Sequence, residues 1–162
     1  MSDDQATPSG ILGIHHTGLH VRDIERSVAF YHELLGFELL ARQEAHGNYV
    51  ADIVGYPGAV MLFAFVRHPS GGPIIELIQY VDPAGAPIDT ATKNPGTAHI
   101  CFAVRDIHAT YRQLEAAGVP FKSEPVEIMA GINKGGYGVY FTDPDGIALE
   151  LHQRPPSAAQ SA

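Results

Sequence analysis

His16 opens the phrase HTGLHVRDI and His99 opens HICFAVRDI, while Glu76 opens ELIQ and Glu150 opens ELHQ. Two imidazoles and two carboxylates at matching places of a doubled framework are donor types suited to a divalent transition metal. Imidazole nitrogen suits Zn, Ni, Co and Fe, and carboxylate oxygen favours higher coordination with water in the open positions. A metal so held polarises a substrate carbonyl, and a nearby carboxylate can then remove the adjacent proton. Taken singly, each of these residues reads as a structural polar side chain in a strand. The repetition favours the ligand reading, because duplication preserves a fold without having to preserve polar positions inside it.

The surrounding residues indicate how the four are positioned. Each copy opens with a strand, ILGIHHTGLHV in the first and TAHICFAV in the second, that runs into an aspartate able to cap the next helix. From Asp23, residues Ile24, Val28, Tyr31 and Leu35 recur at helical spacing, and Gly36 stops the helix. From Asp106, Ile107, Tyr111, Leu114 and Ala117 repeat the pattern as far as Gly118. Three strands follow each helix: FELLARQEA, AVMLFAFVR and PIIELIQYV, then FKSEPVEIM, YGVYFTD and IALELHQ. The expected fold is α+β, two βαβββ modules over 11–82 and 97–153 joined by a turn-rich linker over 83–96. Segments 1–10 and 154–162 are expected to be disordered tails.

Strand alternation puts His16, Gly18 and His20 on one face and His99, Cys101 and Ala103 on its counterpart, both lined by small residues that leave room for a ligand. Glu76 falls between Ile74 and Ile78, and Glu150 between Ala148 and His152. A carboxylate in the middle of an apolar strand is costly to bury unless it is paired or binds a metal. Parity turns His15 to the opposite face and makes it the weaker ligand candidate.

Composition excludes several classes of function. The chain has 162 residues, 45% hydrophobic and 17% charged, with a net charge of −8. That charge argues against nucleic acid or an anionic membrane as partner, and no apolar run reaches membrane-spanning length. The single cysteine, Cys101, cannot form an internal disulfide, and the opening MSDDQATPSG lacks the features of a secretion signal. A cytoplasmic location is the expectation.

HHTGLHVRDIERSVAFYHELLGFELL, IIELIQY, GTAHICFAV and YFTDPDGIALEL together resemble the vicinal oxygen chelate superfamily, from Ile11 to Gln153. That superfamily includes glyoxalase I, methylmalonyl-CoA epimerase, extradiol dioxygenases, and fosfomycin- and bleomycin-resistance proteins. The resemblance implies paired modules whose curved mixed sheets form a cleft, and one metal held by His16, Glu76, His99 and Glu150. The metal would be Ni, Co, Zn or Mn, or Fe if the chain were a ring-cleaving dioxygenase. Glu76 argues against the dioxygenase, which uses two His and one Glu. Within the superfamily the first segment looks most like bacterial glyoxalase I, which implies a lyase or isomerase moving a proton next to a carbonyl. Glu150 would carry that proton, with Glu76 holding the metal or exchanging roles with it.

The chain departs from glyoxalases at His20, where they tend to have the Arg that helps hold glutathione. An epimerase would need a second acid on a middle strand, and Asp52 in ADIVGYPGAV is the only acid nearby. His20 and Lys134, in the Gly-rich stretch MAGINKGGYG, are the substrate-binding candidates. Each reads equally well as a packed His and a solvated loop Lys. Asn48 and Tyr137 are weaker cleft candidates, and His32, His46, His68 and His108 read as helix-face or loop residues. Cys101 reads as a small wall residue. A non-catalytic drug-binding protein is a further alternative. The resemblance also implies a homodimer acting on a small molecule.

Overall fold

Leu19, Leu77 and Ile75 are buried while His16, Gly18 and His20 stay open, so the period-2 alternation read from the sequence decides which side of the first sheet is core. The computed structural model describes residues 9–156. The expected tails lie largely outside the described residues. The chain divides into two compact units between Gly85 and Ala86.

The first unit contains β1 (His16–His20), α1 (Ile24–Val28), β2 (Glu38–Ala45), α2 (Asn48–Val54), β3 (Val60–Arg67) and β4 (Ile74–Asp82). The second contains β5 (His99–Ala103), α3 (Ile107–Ala116), β6 (Val126–Glu127), β7 (Tyr137–Thr142) and β8 (Ala148–Gln153). Each unit is a four-stranded mixed sheet, ordered β1-β4-β3-β2 and β5-β8-β7-β6. The first strand pairs in parallel with the last, and the remaining pairs are antiparallel. This is the expected α+β repeat.

The two helices start in the same way. Asp23 accepts hydrogen bonds from the Glu25 and Arg26 amides at 3.0 and 3.2 Å, and Asp106 accepts from the Ala109 amide at 2.9 Å. Both satisfy amides that a helix start leaves without partners. The last strand adds a second bond in each unit. Gln79 Oε1 accepts from the Ile24 amide at 2.9 Å, and Gln153 Oε1 accepts from the Ile107 amide at 2.7 Å. The Gln of each repeated ELxQ phrase therefore ties the strand that carries the Glu to the helix that follows the His. Gly36 and Gly118 end the helical segments at φ +76° and +84°, where a side chain would be strained.

Four expectations need correction. The first strand is shorter than ILGIHHTGLHV, since Ile11, Leu12 and Ile14 precede β1 and are exposed. The first helix is α-helical only to Val28 and continues as a π-helix over Ala29–Leu34, with the Leu35 amide bonded to Phe30 O at 3.0 Å. That wider turn buries both Phe30 and Tyr31. Between β2 and β3 lies a helix that the strand pattern did not suggest, α2, whose Val50 and Val54 pack on Ala45, Met61 and Ile78. In the second unit FKSEPVEIM forms a strand only at Val126–Glu127, just after Pro125, which cannot donate to a ladder.

The DPDG phrase sets the register of the last hairpin. Asp143, 3% exposed, accepts through Oδ1 from the Asp145 and Ile147 amides at 2.9 and 2.8 Å. Gly146 sits at φ +83° with its carbonyl bonded to Thr90 Oγ1 at 2.7 Å. This tight turn places Tyr140 of β7 directly opposite Glu150 of β8.

Candidate functional site

The parallel pairing of first and last strands brings each His close to a Glu. β1 and β4 are in register with Gly18 opposite Glu76, and β5 and β8 with Cys101 opposite Glu150. The histidines, one step up the face, reach across. His16 Nε2 lies 3.2 Å from Glu76 Oε2, and His99 Nε2 lies 3.1 Å from Glu150 Oε2. The exposures also match: 43% and 40% for the imidazoles, 15% and 18% for the carboxylates. Both carboxylates are mostly shielded while the imidazole edges stay open. Small residues make the space. A Cβ on Gly138 would come within 3.3 Å of Glu150 Oε1, and one on Gly18 would meet Ile78 Cδ1 at 3.3 Å.

Around these pairs the two units differ. Opposite Glu76 on β3 stands Phe65, stacked with Phe63 at 6.2 Å. Opposite Glu150 on β7 stands Tyr140, whose hydroxyl is 3.2 Å from His99 Nε2 and also hydrogen-bonds Glu150. Burial, then the Glu150 charge and the hydrogen bond to it, holds the Tyr140 phenol above its ordinary range. Cys101 is affected in the same order: burial first, then the Glu150 charge and hydrogen bond, push its thiol up to about 11. At neutral pH it is a protonated wall group with little nucleophilic character.

The sequence missed the hydroxyl at Tyr140. Its signal was the difference between AFVR and VYFT at equivalent places of the repeat. His15 corrects an expectation. It precedes β1, so strand parity does not govern it, and its Nδ1 lies 2.8 Å from His16 Nδ1. It therefore partners the His16 nitrogen that faces away from Glu76.

Other candidates are placed as follows. His20 stacks on Tyr80 with centroids 5.7 Å apart, and Tyr80 meets Tyr56 edge-on at 5.8 Å. Lys134 is exposed in the turn before β7, its amide bonded to Gly131 O at 3.2 Å. Tyr137 packs its ring against His108 of α3, and Asn48 begins α2. Asp52 lies on the exposed side of α2 and not on a strand, which removes it as the middle-strand acid of a two-base epimerase. His32 bonds Phe37 O and His68 bonds Ser70 Oγ, each in its local segment, while His46 follows β2.

Within either unit, among the described residues, no third His, Cys, Asp or Glu joins a pair to make a metal cage. Each unit holds one such His–Glu pair. Residues 13–151 match the family model of the Glyoxalase/Bleomycin resistance protein/Dioxygenase superfamily. The chain belongs to this superfamily. Its members generally use a divalent metal ion. A probable lactoylglutathione lyase of Vibrio parahaemolyticus is 33% identical, covering 90% of this chain and 94% of that protein. A 2-epi-5-epi-valiolone epimerase of Actinomyces is 30% identical, covering 92% of this chain and 83% of that one. The crystal structure of a glyoxalase family protein from Bacillus cereus shares the fold with a TM-score of 0.78 at 20% identity, covering 96% of this chain and 99% of that chain. Among the described residues no helix of this superfamily member is long and apolar enough to cross a membrane.

Proposed function

We propose that the protein is a metal-dependent lyase or isomerase of glyoxalase type, moving a proton at a carbon beside the carbonyl of a small molecule. The observation that carries this reading is the duplicated His–Glu pair, with Nε2–Oε2 separations of 3.2 and 3.1 Å at equivalent register positions. The donor set fits a divalent transition metal: two imidazole nitrogens and two shielded carboxylates on faces open to solvent. We assign His16, Glu76, His99 and Glu150 to holding Ni, Co, Zn or Mn. When bound, the metal polarises the substrate carbonyl and eases loss of the neighbouring proton.

Glu150 takes that proton from one carbon and returns it to the next. The exchange is balanced within the substrate and needs no co-reactant. His99 and His16 serve the metal, and Glu76 has the holding role. His20, stacked on Tyr80, and Lys134, free to meet a carboxylate from its exposed turn, are assigned to substrate binding. The names of the two relatives above support lyase or epimerase chemistry for this chain. The working form we propose is a cytosolic homodimer.

The test is deuterium uptake. Protein reconstituted with Ni, Co, Zn or Mn is incubated in D2O with S-lactoylglutathione, α-hydroxy ketones and α-branched thioesters, and the recovered compounds are weighed by mass spectrometry. Metal-dependent deuteration of at least one compound, lost in Glu150→Ala, is the expected result. Oxygen uptake with catechols and Fe(II) would replace the proposal with a dioxygenase. Tight binding without exchange would replace it with a drug-binding protein.

A further inference from the structure

The repeat lets one unit serve as the internal control for the other. Equivalent positions hold His16 and His99, Glu76 and Glu150, Gln79 and Gln153, but Phe65 in the first unit is Tyr140 in the second. Only the second pair therefore has a phenol hydroxyl across the strand, 3.2 Å from His99 Nε2, with the rings 5.0 Å apart at 63°. That hydroxyl has one proton to give. In the metal-free pair, His99 Nε2 lies 3.1 Å from Glu150 Oε2 and 3.2 Å from the Tyr140 hydroxyl, and Tyr140 stands directly across the ladder from Glu150, whose carboxylate is an acceptor for the phenol. An imidazole nitrogen engaged by a metal carries no proton and no free lone pair, so Glu150 is then the acceptor left to Tyr140.

We propose that Tyr140 is a positioning residue that holds Glu150 and, through it, makes the second His–Glu pair the one that moves the proton. Glu76 faces a hydrocarbon ring where Glu150 faces a donor, and so it lacks this hold. A carboxylate with a fixed donor at its side keeps its orientation when it gains or loses a proton. The inference rests on the function proposed above and gives a physical reason, in the chain's own residues, for the unequal roles of two carboxylates at matching places of the repeat.

The fold itself predicts that Tyr140→Phe will fold, since the first unit carries Phe at the same place. Ring nitrogen signals of 15N-histidine-labelled, metal-free protein give the first readout. Tyr140→Phe should move the His99 signals and leave those of His16 in place, and Phe65→Tyr should move His16. Co2+ alone, followed by its visible absorption, gives the second: Tyr140→Phe should weaken binding about 10- to 100-fold, the usual size for an outer-shell partner of a metal ligand. With any compound the wild-type protein deuterates, kcat should fall by a similar factor while KM stays within about twofold, the pattern of a group that serves the transition state.

Unmoved His99 signals, or wild-type kcat in Tyr140→Phe, would overturn the proposal. A wild-type protein that binds no Co2+ would instead overturn the metal-dependent function. The His99 signals would still decide whether Tyr140 holds the pair.

Discussion

The two units share a frame and differ in what surrounds it. Both place a His on the first strand, a Glu on the last, an Asp at the helix start, and a Gln that ties strand to helix. Around Glu76 the first unit sets Gly18, Ile78 and the stacked Phe63 and Phe65. Around Glu150 the second sets Cys101, His152, Gly138 and Tyr140. The first unit also carries an extra helix, α2, and an eight-residue β2, where the second has only the two residues of β6. The residues that fix geometry are repeated, and those that set the local environment have diverged. The frame holds the donors, and the surroundings make one pair apolar and the other polar.

The largest expected difference between the units is in turnover. Glu150→Gln should lower the rate of deuterium exchange about 10²- to 10⁴-fold, the range for losing a positioned acid–base group. Glu76→Gln should show a smaller loss once metal is saturating, with its main effect on metal affinity. Equal losses in both variants, measured side by side at saturating metal, would erase the distinction. Next comes the hydroxyl exchange. The double variant Tyr140→Phe with Phe65→Tyr should keep the loss caused by Tyr140→Phe, about 10- to 100-fold, because the new hydroxyl sits beside the carboxylate that holds and does not move the proton. Full recovery would mean that the pairs are interchangeable.

A smaller and symmetric effect is expected from the frame. Gln79→Ala and Gln153→Ala each leave a helix-start amide without its side-chain acceptor and should each cost about 1 kcal/mol in denaturant unfolding. A difference between them well beyond that figure would show that the frame has diverged too. The smallest effect concerns Cys101. In metal-free protein its thiol, held up to about 11 by burial and then by Glu150, should react slowly with iodoacetamide at pH 8. The thiolate is the reactive form, so the rate should climb as pH rises toward that value. Glu150→Gln removes a negative charge and should speed alkylation. Fast reaction of the unaltered chain would place Cys101 outside the polar cluster.

The doubled sequence made much of this legible. His16, His99, Glu76 and Glu150 stand out as ligand candidates because identical polar types recur inside apolar strands, where a single copy reads as structural, and the structure sets each His beside its Glu. Asp23, Asp106, Gly36 and Gly118 were readable because capping chemistry is local. Elements that depend on tertiary packing were not. Val50 and Val54 make too short a pattern to announce α2, and what holds the helix down is the surface of Met61 and Ile78 across the sheet. The π turn over Ala29–Leu34 follows from burying Phe30 and Tyr31 together, which no spacing rule contains. Tyr140 was visible only as one letter among aromatic strand residues. Its meaning came from register, which places it opposite Glu150. The repeated Gln was in plain view, but as a cap that bonds a helix in a distant stretch of sequence it could be understood only in three dimensions.

The most direct test of the duplicated pairs as metal ligands is elemental analysis of the purified, reconstituted protein beside Glu76→Ala and Glu150→Ala. Near-stoichiometric Ni, Co, Zn or Mn in the wild-type chain, lost or weakened in both variants, is the predicted result. Metal retained by both variants, or none in the wild-type chain after reconstitution, would contradict it.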